Sequence, residues 1–419
     1  MASTKISVNR IQPGLHIRLP VKWNDHPFLF NTFKIKSNEQ VRVIKQLGVK
    51  YVYITPELSD VLPLPIEATP AATSNTINQE DNADAERLWA EKQERIEKLS
   101  LYRRRVSRCE KEFDRSLARI RNIMAKLRSR PELAIQESEL LIEDIVDSLL
   151  GEDDVTLHLM GGKNEFEDLY FHCLNVSVLS MLIAKAKGCD AKTIKVVALA
   201  ALFHDIGKSK VPSAILRKTS PLNEPELNYL KLHTKYGGDI ARSVQGLPEE
   251  VIEVIEQHHE LLNGSGYPLG LHGNQISAIS QIVSVANAFD NLCHHQVSTE
   301  RKIPYTALSY LYKHSKEKYS QENLSILIKY MGVYPPGTIV KLSNQMIGLV
   351  VSINSGNLLY PNVLVYDSSV PKLQAPIITL ESKDLKVESV IHPDRLPEKI
   401  RDYLNPRARI SYYFEDTSL

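Results

Sequence analysis

Five histidines and two aspartates fall on stretches that otherwise read as apolar helix. They are Asp168 and His172 in DLYFHCLNVSVLSMLIA, His204 and Asp205 in FHDIGK, His233 in YLKLHTKYGG, and His258 and His259 in VIEVIEQHHELL. Asp168 and His172 stand at i, i+4 and so share a helix face. His258 continues the stripe of Val251 and Ile255, and His259 that of Ile252 and Ile255, so both imidazoles can face inward. Any one of these groups alone is more often a satisfied core residue than a ligand, but so many buried together without partners would be expensive. Metal binding removes that cost: imidazole nitrogens with carboxylate oxygens suit Fe, Mn, Zn or Ni, and one carboxylate can bridge two ions that share a hydroxide.

The elements that must position these groups give a mainly α fold. From about 155 to 332 successive helices can be drawn, and IKVVALAALF at 194–203 is apolar nearly all round, as a core helix is. The chain divides into a small α+β N-terminal domain (1–60), a linker (61–83), a charged helical connector (84–150), a helical catalytic domain (151–335) and a β-rich C-terminal extension (336–419). In the first of these, Ser37 and Gln40 have capping-box spacing and Gly48 suits the residue after the helix. In the connector, RRR at 103–105 is answered by Glu110, Glu112 and Asp114, which predicts a solvated helix face able to signal or to form a homodimer. A net charge of +1 over 419 residues gives no global field for duplex nucleic acid. No run approaches the roughly 18 apolar residues of a membrane span. Cys109, Cys173, Cys189 and Cys293 have no CxxC spacing, which excludes a thiolate zinc site and fits a reducing cytoplasm.

His172, the adjacent His204-Asp205, His233, His258-His259 and Gly266-Tyr267-Pro268, in that order, resemble the HD-GYP family, a branch of the HD-domain metal-dependent phosphohydrolases. The resemblance covers about 155 to 340, and the first 60 residues are similar to a small domain of unknown function that often precedes this module. It implies an HD-type helical bundle that hydrolyses a cyclic dinucleotide, usually cyclic di-GMP and in some members the mixed cyclic GMP-AMP, with two or three ions, usually iron or manganese. It also implies His172, His204, Asp205, His233, His258 and His259 as metal ligands with Asp205 as the bridge, Lys208 beside the scissile phosphate, and Tyr267 near the pocket in a loop shaped by Gly266 and Pro268. Asp168 stands where trinuclear members carry Glu; its shorter side chain favours two divalent ions, or else serves only to hydrogen-bond His172.

The pattern breaks on the last helix of the set. SVANAFDNLC has Asn287 where the family has its final metal aspartate, and an amide oxygen is a weaker ligand for Fe or Mn than a carboxylate. Asp290, one turn later, is a candidate to compensate. The family's basic segment is replaced by CHHQVSTERK, with Gln296 and Thr299 at the basic positions. Arg301 and Lys302 are then the candidates for substrate contact, or an ordinary solvated pair, while His294 and His295 at the predicted helix end are expected to be exposed. These losses leave open a module that binds a cyclic dinucleotide or partner proteins without efficient turnover.

Overall fold

The computed structural model describes residues 3–66, 79–127, 129–151, 157–160, 168–295, 297, 300–354, 357–380, 385–404 and 411–414. At the N-terminus, alternating apolar residues form an antiparallel sheet of β1 (Thr4–Ser7), β2 (His16–Arg18), β3 (Thr32–Lys34) and β4 (Tyr51–Ile54), ordered β1-β4-β2-β3. Helix α1 (Asn38–Gln46) buries Val41, Val43 and Ile44 against Ile17, Val52 and Ile54. Ser37 Oγ accepts from Gln40 N at 3.5 Å, but Gln40 Oε1 accepts from Lys36 N at 2.8 Å, one residue short of a reciprocal capping box.

Helix α2 (Gln79–Lys126) begins inside the stretch read as linker, of which 67–78 lie outside the described residues. Its 48 residues span about 70 Å, and they touch every other part of the chain. Near its start, Lys92 is 4% exposed, with its ammonium 2.5 Å from Trp23 O, 2.7 Å from His26 O and 3.8 Å from the Trp23 ring. Midway, Tyr102 donates to Val351 O at 3.2 Å and Arg103 to Lys372 O at 2.7 Å. At its far end Phe113, Leu117, Ile120 and Ile123 enter the helical core. Many of the connector's apolar residues are thus buried within the chain; among the described residues, Trp89, Leu101, Leu133, Leu140 and Leu150 are its exposed large apolar side chains.

The helical core follows: α3 (Pro131–Leu150), α4 (Asp168–Ala186), α5 (Ala191–Phe203), a 3-10 turn (Ile206–Lys210), α6 (Ser213–Leu216), α7 (Glu224–Lys231), α8 (His233–Arg242), α9 (Glu249–Gln257), α10 (Ala278–Cys293), α11 (Pro304–His314) and α12 (Gln321–Met331). One continuous apolar cluster runs from Phe113 on α2 to Met331 on α12. Leu169–Ala186 on α4 is long and apolar enough by composition to cross a membrane, contrary to the expectation that no run comes close. It is 78% buried inside the protein, packed against α5, α10 and α12, as a core helix is.

Two strands change the picture of the ends. β5 (Leu157–Met160) lies where only helix was expected, and it pairs antiparallel with β11 (Ser411–Phe414), bringing the C-terminal extension back to the helical domain. The extension otherwise forms an antiparallel sheet of β6 (Ile339–Leu342), β7 (Ile347–Ser352), β8 (Asn362–Val365), β9 (Ile377–Thr379) and β10 (Val387–Ile391), ordered β10-β6-β7-β8-β9. Leu404 of α13 (Glu398–Leu404) covers Ile339 and Leu349 on one face. Phe30 of the N-terminal domain packs with Val340, Val350 and Val363 on the other.

Candidate metal centre

The ligand candidates sit at the ends of helices, where side chains can turn inward without disturbing a helical ladder. His204 caps the C-terminus of α5, Asp205 opens the 3-10 turn, His233 begins α8, and His258 caps the C-terminus of α9. Gly207 lets the turn approach α8, since a Cβ there would lie 1.9 Å from His233 O and 2.4 Å from Gly237 N. His172 comes from the first turns of α4.

Three of the imidazoles are anchored by Nδ1 to a carbonyl three residues earlier. His204 donates to Ala201 O at 2.6 Å, His233 to Leu230 O at 2.7 Å and His258 to Ile255 O at 3.0 Å. His172 Nδ1 instead donates to Asp290 Oδ2 at 2.5 Å. With Nδ1 so used, each ring in its neutral, ligating form has its lone pair on Nε2, and all four Nε2 atoms point at one carboxylate. His172 and His204 stand 3.4 and 3.3 Å from Asp205 Oδ2, while His233 and His258 stand 3.4 and 3.7 Å from Oδ1. Within each pair the Nε2 atoms are 3.1 Å (His172, His204) and 3.2 Å (His233, His258) apart. Facing lone pairs repel, and the buried Asp205 Oδ1 has no hydrogen-bond partner. Cations between the nitrogens and the carboxylate satisfy both. Two overlapping donor sets result, Asp205-His233-His258-His259 and His172-His204-Asp205, each with its ligand atoms within 4.8 Å of one another.

The electrostatics agree with that arrangement. Burial pulls His204 down to about 4 and His233 to about 3, and holds His259 well below its ordinary value, so these rings are neutral ligands at pH 7. Burial also works against charge on His172, but hydrogen bonds to Asp205 and Asp290 outweigh it and carry it up to about 9. Asp205 is opposed by burial yet held well below the usual carboxylate range by Lys208 and His204. The Lys208 ammonium lies 2.5 Å from Asp205 Oδ2.

The neighbouring loop is locked around the cluster. Tyr267 stacks on His259 with ring centroids 4.6 Å apart and planes 17° apart, and the Lys231 ammonium lies 5.5 Å from the Tyr267 centroid. A Cβ on Gly266 would fall 2.4 Å from Leu261 N, so only glycine permits this loop path. Glu260, 2% exposed, is no ligand: it accepts from Leu269 N at 2.6 Å, Gly270 N at 3.2 Å and Leu271 N at 2.9 Å, pinning the segment after Pro268.

The departures resolve differently from one another. Asp290 does not compensate as a ligand, because both its oxygens are engaged: Oδ2 by His172, Oδ1 by Asn175 Nδ2 and by His294 Nδ1 at 3.0 Å. His294 is correspondingly not exposed as expected, its side chain being 22% accessible, whereas His295 is 40% accessible beside Glu300. Asn287 is buried, and its amide oxygen accepts from Asn291 Nδ2 at 2.7 Å, leaving one lone pair for an ion. Arg301 donates to His295 O at 2.7 Å and the Lys302 ammonium lies 5.2 Å from the Tyr310 centroid. Gln296, Thr299 and the side chain of Asp168 lie outside the described residues. Sequence reasoning missed Asn175, Glu260 and Lys231 as parts of the site and set His294 aside as exposed; spacing from recognised residues, such as Asn175 one turn after His172 on a buried face, was the signal that could have found them.

Comparison with known proteins finds two family matches along the chain. Residues 3–138 match a domain of unknown function (DUF3391) and residues 127–322 match an HD domain. A cyclic di-GMP phosphodiesterase of Pseudomonas aeruginosa is 25% identical over 375 residues, 89% of this chain and 87% of that protein. The cyclic di-GMP phosphodiesterase response regulator RpfG of Xanthomonas campestris is 33% identical over 36% of this chain and 39% of its own. The 3'3'-cGAMP-specific phosphodiesterase 1 of Vibrio cholerae is 32% identical over 39% of this chain and 36% of its own. Among solved structures, a HDG"Y"P protein from Bdellovibrio bacteriovorus has a TM-score of 0.41 and 18% identity, covering 78% of this chain and 98% of its own. Residues 127–322 are therefore an HD domain, with a DUF3391 domain ahead of it.

Proposed function

We propose that the protein is a metal-dependent phosphodiesterase that opens a cyclic dinucleotide, cyclic di-GMP or 3',3'-cyclic GMP-AMP, to the linear dinucleotide and onward to mononucleotides. The observation that carries this reading is the convergence of four Nε2 atoms, in two pairs, on the two oxygens of the buried Asp205. Such a carboxylate bridges two divalent ions, and its nitrogen-rich surroundings suit Fe or Mn. His233, His258 and His259 would hold one ion and His172 and His204 the other, with Asn287 as a weak oxygen donor to the second. Ions held there supply Lewis acidity and a water acidic enough to ionise near neutral pH.

The chain's own groups do the remaining work. Water adds to phosphorus, the bond from phosphorus to the 3'-oxygen breaks, and the leaving oxygen takes up a proton. Lys208, on the rim of the cluster, neutralises charge that develops on the phosphoryl oxygens. Tyr267 and Gly266 form the wall on which the ring rests, and Arg301 and Lys302 meet its distal phosphate or base. The relatives named for cyclic di-GMP and 3'3'-cGAMP support this substrate class, and a cytoplasmic location fits such messengers. Helix α2 serves as an intrachain strut, packing on the N-terminal domain near its start and on the helical core at its far end, and its exposed Trp89 and Leu101 leave a surface for a homodimer. Incubating metal-loaded protein with each dinucleotide tests the reading: linear product from one or both is expected. No product from either, with tight binding retained by calorimetry, overturns it in favour of a binding module.

A further inference from the structure

Of the four imidazoles aimed at Asp205, three are fixed by the backbone of their own helix end, whereas His172 on α4 is fixed by a side chain 118 residues away on α10. A carbonyl in a helix cannot turn; a carboxylate on two rotatable bonds can. The direction of the His172 lone pair is therefore only as well defined as the Asp290 carboxylate. That carboxylate is 0% exposed and held on its other oxygen by Asn175 Nδ2 and by His294 Nδ1 at 3.0 Å. His294 Nδ1 also lies 3.1 Å from Asp290 O, and its backbone N–H donates to that same carbonyl at 2.9 Å. Its ring meets the Phe171 ring edge-on, centroids 6.2 Å apart, so it is wedged between the end of α10 and the start of α4 beside the ligand it steadies.

Building on the two-ion reading of the site, we infer that His294 is a positioning residue for the ion held by His172 and His204: it fixes Asp290, and Asp290 fixes His172. A carboxylate that accepts from the far nitrogen of a ligating histidine orients the ring and raises its basicity, and such outer partners are worth roughly 10–100-fold in metal affinity. The effect falls on the half of the centre that has the fewer histidines.

The test is a Mn²⁺ titration of metal-stripped, full-length protein, read by equilibrium dialysis and metal analysis, on the wild type, His294→Phe and His294→Gln. His294→Phe keeps a ring against Phe171 and removes the donor; His294→Gln returns a donor. Expected for His294→Phe is one ion weakened by roughly 10–100-fold, the other unchanged within about twofold, an unfolding temperature near that of the wild type, and recovery of most of the loss in His294→Gln. Two ions bound by His294→Phe as tightly as by the wild type overturn the role of His294 alone. Equal weakening of both ions with a lowered unfolding temperature and no rescue by Gln also overturns it, as a structural effect. A wild type that takes up no second ion overturns the two-ion function itself, and this inference with it.

Discussion

The two halves of the centre are built by different means. In one, Asp205 Oδ1 faces His233 and His258, both anchored on carbonyls three residues earlier, and His259 is stacked on Tyr267. In the other, Asp205 Oδ2 faces His204, anchored the same way, and His172, anchored through Asp290 from another helix. The first half is set by local helix ends and carries three imidazoles. The second carries two, depends on a distant side chain, and has at Asn287 an amide oxygen rather than a carboxylate. The proposed two-ion site would thus hold one ion rigidly and the other conditionally.

The largest expected effect is on the rigid half. His258→Ala or His259→Ala should lower both metal content and turnover by more than the roughly 10–100-fold that outer partners are worth. Unchanged stoichiometry with a lower unfolding temperature would show that these residues only fill the core. Lys208→Met should then cut kcat by on the order of 10²–10³-fold, as loss of a charge-stabilising group does, while metal analysis finds both ions still present. Loss of metal instead would make Lys208 part of the ligand scaffold.

Acidity should separate the halves more finely. Bound ions need neutral imidazole, and His172, at about 9, carries a proton at pH 7 that an ion must displace. His204 at about 4 and His233 at about 3 carry none. Affinity at the His172 half should therefore rise by up to roughly tenfold per pH unit from 7 towards 9 and then level off, one proton being released per ion. Affinity at the His233 half should stay flat over the same range. Calorimetry in buffers of different ionisation enthalpy counts the protons, and none released by either half would contradict the contrast. The smallest effect is a gain: Asn287→Asp should tighten the conditional ion by roughly tenfold, since Asn291 Nδ2 is already placed to steady the new carboxylate. Dialysis showing no gain would remove residue 287 from the ligand set.

The locally anchored ligands of both halves were legible before folding. A histidine at a helix end can anchor Nδ1 on the carbonyl three residues back without help from elsewhere, so residue type and position alone suggested His204, His233 and His258. Gly207 and Gly266 follow the same logic, each marking where backbone meets backbone. The role of Asp290 was left open because helical periodicity shows which face it shares with Asn287 but not which nitrogen it meets across the core. His294 was misjudged for the same reason: a position at a helix end reads as solvent until another helix closes over it.

By itself, then, the sequence determined the mainly helical class, the ligand types and the local anchors, all set by interactions within about one helical turn. The tertiary structure decided the Asp290 and His294 support of His172, the joining of β5 to β11, and the run of α2 along all parts of the chain. Apart from the i, i+4 step between Asp290 and His294, each of those contacts links residues more than a hundred positions apart. Such contacts leave no period in a sequence, because they exist only once the chain has closed its long loops and paid their entropy.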